Sequence, residues 1–493
     1  MNGNPTDTLE ANMKAIVASA LGKPEAKVKM HRSFLAQGGD SLLAIKLMSR
    51  CREEGYDVAI RDILQAKSVT ELCRCLTRID EAGPEDGDDK VNGNDEPPRE
   101  IQLSEHITSH LSRITPNPAH DVEAVFPCSP IQEIFLTAHG IHAGMYQCAA
   151  VIEISSAEAR GLDYARLAEA WRTISRRHQA FRTVFVESDE RPGHFEQVVL
   201  RGEVSPLTDL EETDEVMVSD VASRRVVPFE PLTPHKATLL RCPSGSAQIR
   251  IDISHALVDG ESLPILLEDL SSAYSNNTLS DTSMSYADYV SHQQQINPQA
   301  SIAYWSAYLS GAQPTFFPPT NDQAGREGLR TVHSRVELPA GLLGEFCGKF
   351  DVTAANICQV AWALVLRSYT GSNDVCFSYV SSGRQAPLKG IESTIGAFVD
   401  TMICRVNTSG DKTLEDALEK AKSDVMDGLS HPCVFAMNHE GEGGSLSRLR
   451  GNTIMSCLRK LPGSEGDLAF GISDAVNPSE VSYATVAFGH LGF

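Results

Sequence analysis

Positive charge is scarce in this 493-residue chain: 43 Lys and Arg stand against 65 Asp and Glu, a formal net charge of −22. That balance argues against nucleic-acid binding, and against docking on an anionic membrane, as the main task. Long apolar runs are missing too, and none approaches the roughly 18–20 residues that span a bilayer. The start, "MNGNPTDTLE", has neither the basic opening nor the apolar stretch of a signal peptide. Twelve cysteines are scattered, and no CxxC pairs with another at metal-binding spacing. No metal site is therefore expected, and free thiols in a reducing cytoplasm are. What is present is ordinary for a globular chain: 41% hydrophobic and 22% charged residues, enough for two to four domains with sizeable cores.

The first eighty residues read as helical. "DTLEANMKAIVASAL" places Leu9, Met13, Ile16, Val17, Ala20 and Leu21 on one face. "LLAIKLMSRCREE" follows "GGDS" and stops at Gly55, and "SVTELCRCLTRI" carries Val69, Leu72, Leu76 and Ile79 at helical spacing. Residues 81–100, "EAGPEDGDDKVNGNDEPPRE", hold almost nothing apolar and read as a solvated linker with a reach of roughly 25 Å. From 101 onward, strand-like runs ("CAAVIEI", "QIRIDIS", "DVCFSYV", "TMICRV") alternate with helix-like ones. That alternation predicts a large α/β unit.

Two short stretches carry chemistry. Ser41 follows two glycines and opens a helix, where the partial positive charge suits a phosphodiester on its oxygen. A plain serine N-cap would look the same. In "SHALVDGES", His255 follows the strand "QIRIDIS", whose Ile249, Ile251 and Ile253 share one face and Gln248, Arg250 and Asp252 the other. A neutral histidine at a strand end can accept a proton near pH 7. Asp259 and Gly260 close the loop, and Ser262 is placed to cap the next helix. HxxxD alone is a weak motif, and its commonest reading is structural.

The surroundings of Ser41, "HRSFLAQGGDSLLAIKLMSRCREEGYDVAIRDILQAKSVTEL", resemble the thiolation (peptidyl-carrier) domain of non-ribosomal peptide synthetases. "PCSPIQEIFL", "RHQAFRTVF", "SHALVDGES", "YADYV", "SSGRQAPLKGIEST" and "IGAFVDT" follow in the order of the condensation-domain core motifs. The resemblance implies a four-helix carrier bundle at 7–80, with 4'-phosphopantetheine on Ser41. It also implies two chloramphenicol-acetyltransferase-like lobes, at 101–284 and 285–493, with a tunnel between them. His255 becomes the catalytic residue. Ser254, Asp259, Gly260, Ser262 and Arg177 become loop-shaping residues, and amides around Gly260 could steady an oxyanion. An arginine beneath the site is expected to pair with Asp259: Arg177 is the first candidate, with Arg182 and Arg384 behind it.

Most amide-forming members carry two histidines where this chain has Ser254 and His255. The pattern Ser-His-x-x-x-Asp-x-x-Ser resembles terminal condensation domains of fungal synthetases, which release a peptide by cyclisation. No second carrier follows the condensing motifs, which favours an internal nucleophile. Two alternatives stay open: an elongating condensation domain cut from a longer synthetase, and a degenerate docking module. A thioesterase elbow, the DFGWG motif of plant acyltransferases and the adenylation motifs are all missing. Leu263 stands where an epimerase relative has Trp. The expected partners are upstream adenylation and other synthetase domains, a phosphopantetheinyl transferase and the tethered peptidyl thioester, with the chain a monomer. "NPSEVSYATVAFGHLGF" reads as a late strand of the second lobe. Several dozen further residues, including a strand bridging the lobes, are expected beyond Phe493.

Overall fold

The computed structural model describes residues 5–39, 41–78, 103–141, 145–156, 162–202, 204, 207–210, 230–242, 245–279, 284–317, 339, 342–410, 412–433, 449, 453–458, 468–472 and 483–488. The linker expected at 81–100 lies outside them.

The first unit is a four-helix bundle. Its helices are α1 (Pro5–Leu21), α2 (Ser41–Glu53), α3 (Ile60–Gln65) and α4 (Val69–Cys75). A two-residue strand pair, β1 (Tyr56–Asp57) with β2 (Thr77–Arg78), closes it. Met13, Ile16 and Val17 from α1 meet Leu47 and Met48 from α2, with Ile63, Leu64, Val69 and Leu72 from the short helices. The predicted apolar face of α1 is thus the buried one. Gly55 ends α2 with a left-handed φ of 79°, which glycine adopts without a Cβ penalty.

The larger unit begins with α5 (Glu105–Leu111), α6 (Pro118–Asp121), β3 (Val122–Pro127), α7 (Pro130–Ile141) and β4 (Gln147–Ser156). It continues with α8 (Tyr164–Arg177), β5 (Thr183–Glu187), β6 (Phe195–Leu200), β7 (Thr208–Leu210), β8 (His235–Arg241), β9 (Ala247–Ser254) and α9 (Ser262–Tyr274). From Tyr286 onward come α10 (Tyr286–Gln295), α11 (Pro298–Tyr308), α12 (Leu342–Phe350), α13 (Ala354–Thr370), β10 (Asp374–Ser382), β11 (Val399–Asn407), α14 (Leu414–Gly428), β12 (Thr453–Leu458), β13 (Leu468–Ile472) and β14 (Tyr483–Phe488). Strand order is β13-β4-β9-β8-β7 in the first lobe and β11-β10-β12-β14 in the second, with a three-stranded β3-β6-β5 beside the first. Helices α8 and α9 cover the five-stranded sheet, so that Leu167, Trp171, Ile174, Leu266 and Leu270 share one core with Ile249, Ile251 and Ile253. Each such side chain contributes about 1.5–3 kcal/mol.

One expectation is corrected here. Strand β13 pairs antiparallel with β4 of the first lobe. The lobe-bridging strand therefore precedes Phe493, and the stretch 285–493 is not all second lobe. The second face of β9 is covered as well. Arg250 and Asp252 are both buried and pair with each other at 2.5 and 2.8 Å. Alternation shows that a face is polar, but not whether another layer covers it.

His235 on β8 gives the lobe a pH dependence. The ring is 3% exposed, its edge faces Phe181 with centroids 5.6 Å apart, and Nδ1 has no hydrogen-bond partner among the described residues. Burial lowers its pKa from 6.5 to about 4. An unfolded chain would bind the proton near pH 6.5 and the folded chain only near 4. This contribution is full above pH 6.5 and is lost as the pH falls toward 4. Urea midpoints should show about 2 kcal/mol less stability at pH 5 than at pH 7 from this group. His235→Phe should flatten that part of the slope; an unchanged slope would place its origin elsewhere.

Candidate functional site

Ser41 is the first residue of α2, where the helix's unpaired N–H groups lie. The turn before it is built by its glycines. Gly38 has a φ of 92°, and a Cβ on Gly39 would lie 2.3 Å from Cδ1 of the buried Phe34 ring. The glycines therefore answer an internal need of the turn. Gly39→Ala should destabilise the carrier by about 1–3 kcal/mol through overpacking, read from its urea midpoint. A serine hydroxyl opening a 13-residue helix fits a phosphodiester-linked arm.

His255 sits one residue beyond β9. Its N–H donates to the carbonyl of Tyr146 (2.7 Å), a residue with a left-handed φ of 54°. Its Nδ1 lies 2.8 Å from the Val258 carbonyl. A carbonyl only accepts, so Nδ1 carries the hydrogen, and in the neutral ring Nε2 presents the lone pair. The imidazole is half-buried against Phe135, with centroids 4.9 Å apart, and Phe135 in turn meets Tyr146 at 4.5 Å. Behind the loop, Gln132 Nε2 donates to the Ala256 carbonyl (2.8 Å) and to Gln197 Oε1 (2.9 Å). The Ser254 hydroxyl accepts from the Ala256 N–H at 3.3 Å and so shapes the turn.

Both carboxylate oxygens of Asp259 are bonded to groups other than the imidazole. Arg384 grips the carboxylate with both arms of its fork, Nε to Oδ2 at 3.0 Å and Nη2 to Oδ1 at 2.9 Å. The two side chains are 2% and 3% exposed. Nη1 of Arg384 donates to the carbonyls of Ile391 (2.6 Å) and Thr394 (2.8 Å), and its Cζ lies 4.4 Å from the Phe398 ring centre. Arg177, the first candidate, is elsewhere: its Nε bonds Asp269 Oδ2 at 3.0 Å. Helices α8 and α9 lie side by side, which brings the last turn of one to Asp269 on the other. Arg182 pairs with Glu123.

Ser262 does not cap α9. The N-cap position is Glu261, which makes no side-chain cap bond. The Ser262 hydroxyl donates to Asp259 Oδ1 (2.8 Å) and accepts from the Asp259 N–H (3.1 Å). The N–H of Glu261 also donates to Asp259 Oδ1, and that of Ser262 to the Asp259 carbonyl. The amides on either side of Gly260 are thus committed, that of Asp259 to Ser262 Oγ and that of Glu261 to Asp259 Oδ1. Gly396 has no space for a side chain: a Cβ would lie 2.6 Å from Phe398 and 2.7 Å from Tyr286. The Tyr286 hydroxyl bonds the Ala397 carbonyl (2.8 Å) and Ser129 (3.1 Å). Gln132 and Tyr286 were inside the quoted stretches "PCSPIQEIFL" and "YADYV". Nothing in their spacing marked them as loop supports.

The match to known families follows this layout. Residues 122–434, more than half of the chain, match the condensation-domain family, and residues 12–76 match the phosphopantetheine attachment site. Nonribosomal peptide synthetase cm3A of Cordyceps militaris is 42% identical over 481 residues, which cover 94% of this chain and 10% of that protein. Nonribosomal peptide synthetase easA of Emericella nidulans is 44% identical over 398 residues, covering 79% of this chain and 6% of that protein. The chain therefore spans a tenth or less of the length of these two relatives. Among solved structures, holo T3CT aligns with a TM-score of 0.56 at 22% identity, covering 80% of this chain and 87% of that one. The condensation domain of the Monacolin K polyketide synthase MokA aligns at 0.55 and 15% identity, covering 72% and 93%. The chain belongs to the condensation-domain family. It is a carrier–condensation didomain of the nonribosomal peptide synthetase kind, and its carrier takes 4'-phosphopantetheine as a covalent cofactor. Among the described residues, no helix is long and apolar enough to cross a membrane.

Proposed function

We propose that Ser41 is the attachment residue and that His255 serves amide formation with release of the product by cyclisation. The carrying observation is the imidazole held at Nδ1 by the Val258 carbonyl, with the His255 main chain pinned to Tyr146, which leaves Nε2 as the available proton acceptor. Bound at Ser41, the phosphopantetheine arm supplies the thiol that holds the acyl group as a thioester. His255 Nε2 takes a proton from the attacking amine as its nitrogen bonds to the acyl carbon, and returns a proton to the leaving thiolate. The N–H of Gly260 is the amide best placed to meet the oxyanion, because the amides before and after it are bound to Ser262 Oγ and Asp259 Oδ1. Cyclisation is supported by Ser254 standing where amide-forming relatives carry a first histidine. The partners on this reading are a phosphopantetheinyl transferase, which loads Ser41, and upstream adenylation domains.

The chain would be incubated with a phosphopantetheinyl transferase and a peptidyl coenzyme A, then followed by intact mass. We expect one added arm on the parent and none on Ser41→Ala. A cyclic product released without added amine supports the reading. Product that forms only when an acceptor amine is supplied would overturn cyclisation and favour chain elongation.

A further inference from the structure

The carrier is seated on the second lobe by a built surface. Met426 of α14, 2% exposed, belongs to the carrier's own hydrophobic core, and Val425 and Leu429 pack beside it. On α12, Gly348 comes so near the carrier that a Cβ would lie 3.3 Å from Cα of Ala36. Asp351, with a left-handed φ of 53°, bonds Ser33 Oγ (3.1 Å) and Lys422 Nζ (2.6 Å). Ser33 Oγ in turn accepts from the Ala36 N–H, so Asp351 braces the 3-10 turn Leu35–Gln37 that leads to Ser41. An outer pair, Arg61 with Asp427 at 3.3 Å, is solvent-exposed and adds about 0–1 kcal/mol, against about 1.5–3 for the buried methionine.

The same docking reaches the His255 loop. Helix α2 lies against the 3-10 turn Ile391–Ser393, with Cα atoms within 8 Å. That turn supplies the Ile391 carbonyl, and the next residue the Thr394 carbonyl, that hold Arg384 Nη1. On its other side the turn is tied by Thr394 Oγ1 to the Gly390 carbonyl (2.7 Å), with Gly390 at a φ of 86°. Arg384 holds Asp259, and Asp259 holds Glu261 and Ser262. One continuous path thus runs from the carrier helix to the loop that carries His255. The carrier provides the two-state element such coupling needs, since it is either seated or released.

We propose that the seated carrier firms the His255 loop through Ile391–Thr394 and Arg384, so that the loop is ordered when the carrier that Ser41 belongs to is in place. The functional weight of this rests on His255 being the reacting residue, but the ordering itself does not. With the carrier released, the 391–394 carbonyls lose their support on one face. The buried guanidinium then loses fixed acceptors, and the loop loosens.

Hydrogen exchange read by mass spectrometry on the full chain tests this, with no thioester present. Met426→Arg and Lys422→Glu each unseat the carrier, and neither residue touches the reacting loop. Peptides covering 33–37 and 346–350 should exchange faster, and so should 255–262 and 391–396, by about tenfold. Strand 374–382 should keep its protection. Lys422→Arg, which keeps the charge facing Asp351 and leaves the Ser33 bond in place, should keep both sets protected. The proposal falls if the carrier face opens while 255–262 stays unchanged, or if 374–382 opens equally. It also falls if neither variant frees the carrier face. A failed cyclisation assay with intact exchange coupling would overturn the chemistry alone.

Discussion

His255→Ala should leave the fold and the loading of Ser41 intact and slow consumption of the loaded thioester by about 10²–10⁴-fold. The expectation rests on how the ring is held. Nδ1 donates to the Val258 carbonyl, the main-chain N–H is bound to Tyr146, and Phe135 covers one face. None of these contacts reaches across the core, so removing the imidazole loses the proton acceptor and little packing. Ser254→Ala should cost far less, because it removes one bond to the Ala256 N–H, worth about 1 kcal/mol. Single-turnover mass spectrometry of the loaded chain reads both variants. Turnover of His255→Ala within about threefold of the parent would move the chemistry to another residue and revive the docking-module alternative.

Asp259→Asn should lower the melting temperature as well as the rate. Its partner, Arg384, would be left as a buried charge without a counter-ion, at a cost of about 3–5 kcal/mol. For a unit of this size that is a fall of roughly 4–6 °C. Arg384→Met should do the same, and the double variant should be much less than additive. Arg177→Ala breaks a different pair, with Asp269, so its effect should add to that of Asp259→Asn. Full thermal stability in Asp259→Asn, with rate loss only, would instead put the carboxylate in direct partnership with the imidazole. Calorimetry of the three single variants and the two doubles decides among these outcomes. The geometry expects the bond to Arg384 to dominate, because both carboxylate oxygens are occupied by Arg384 and Ser262.

Local pattern was enough to mark the elements and the two reactive positions. The apolar period of 7–21 and of 42–54 encodes helices with one buried face, and the glycine pair marks the start at Ser41. The run "QIRIDIS" encodes a strand whose next residues must turn, which places His255 at a strand end. These features depend on neighbours within a few residues. What only the tertiary structure decided lies across longer separations. Three arginines were chemically equivalent partners for Asp259, and the choice of Arg384, 125 positions away, follows from which faces of the two lobes meet. The burial of Arg250 with Asp252, the return of β13 to the first lobe, the role of Ser262 as a loop ligand, and the insertion of Met426 into the carrier core have the same origin. A sequence encodes which face of an element is apolar or charged. Which other face covers it depends on the burial and pairing energies of whole surfaces, summed over segments far apart in the chain.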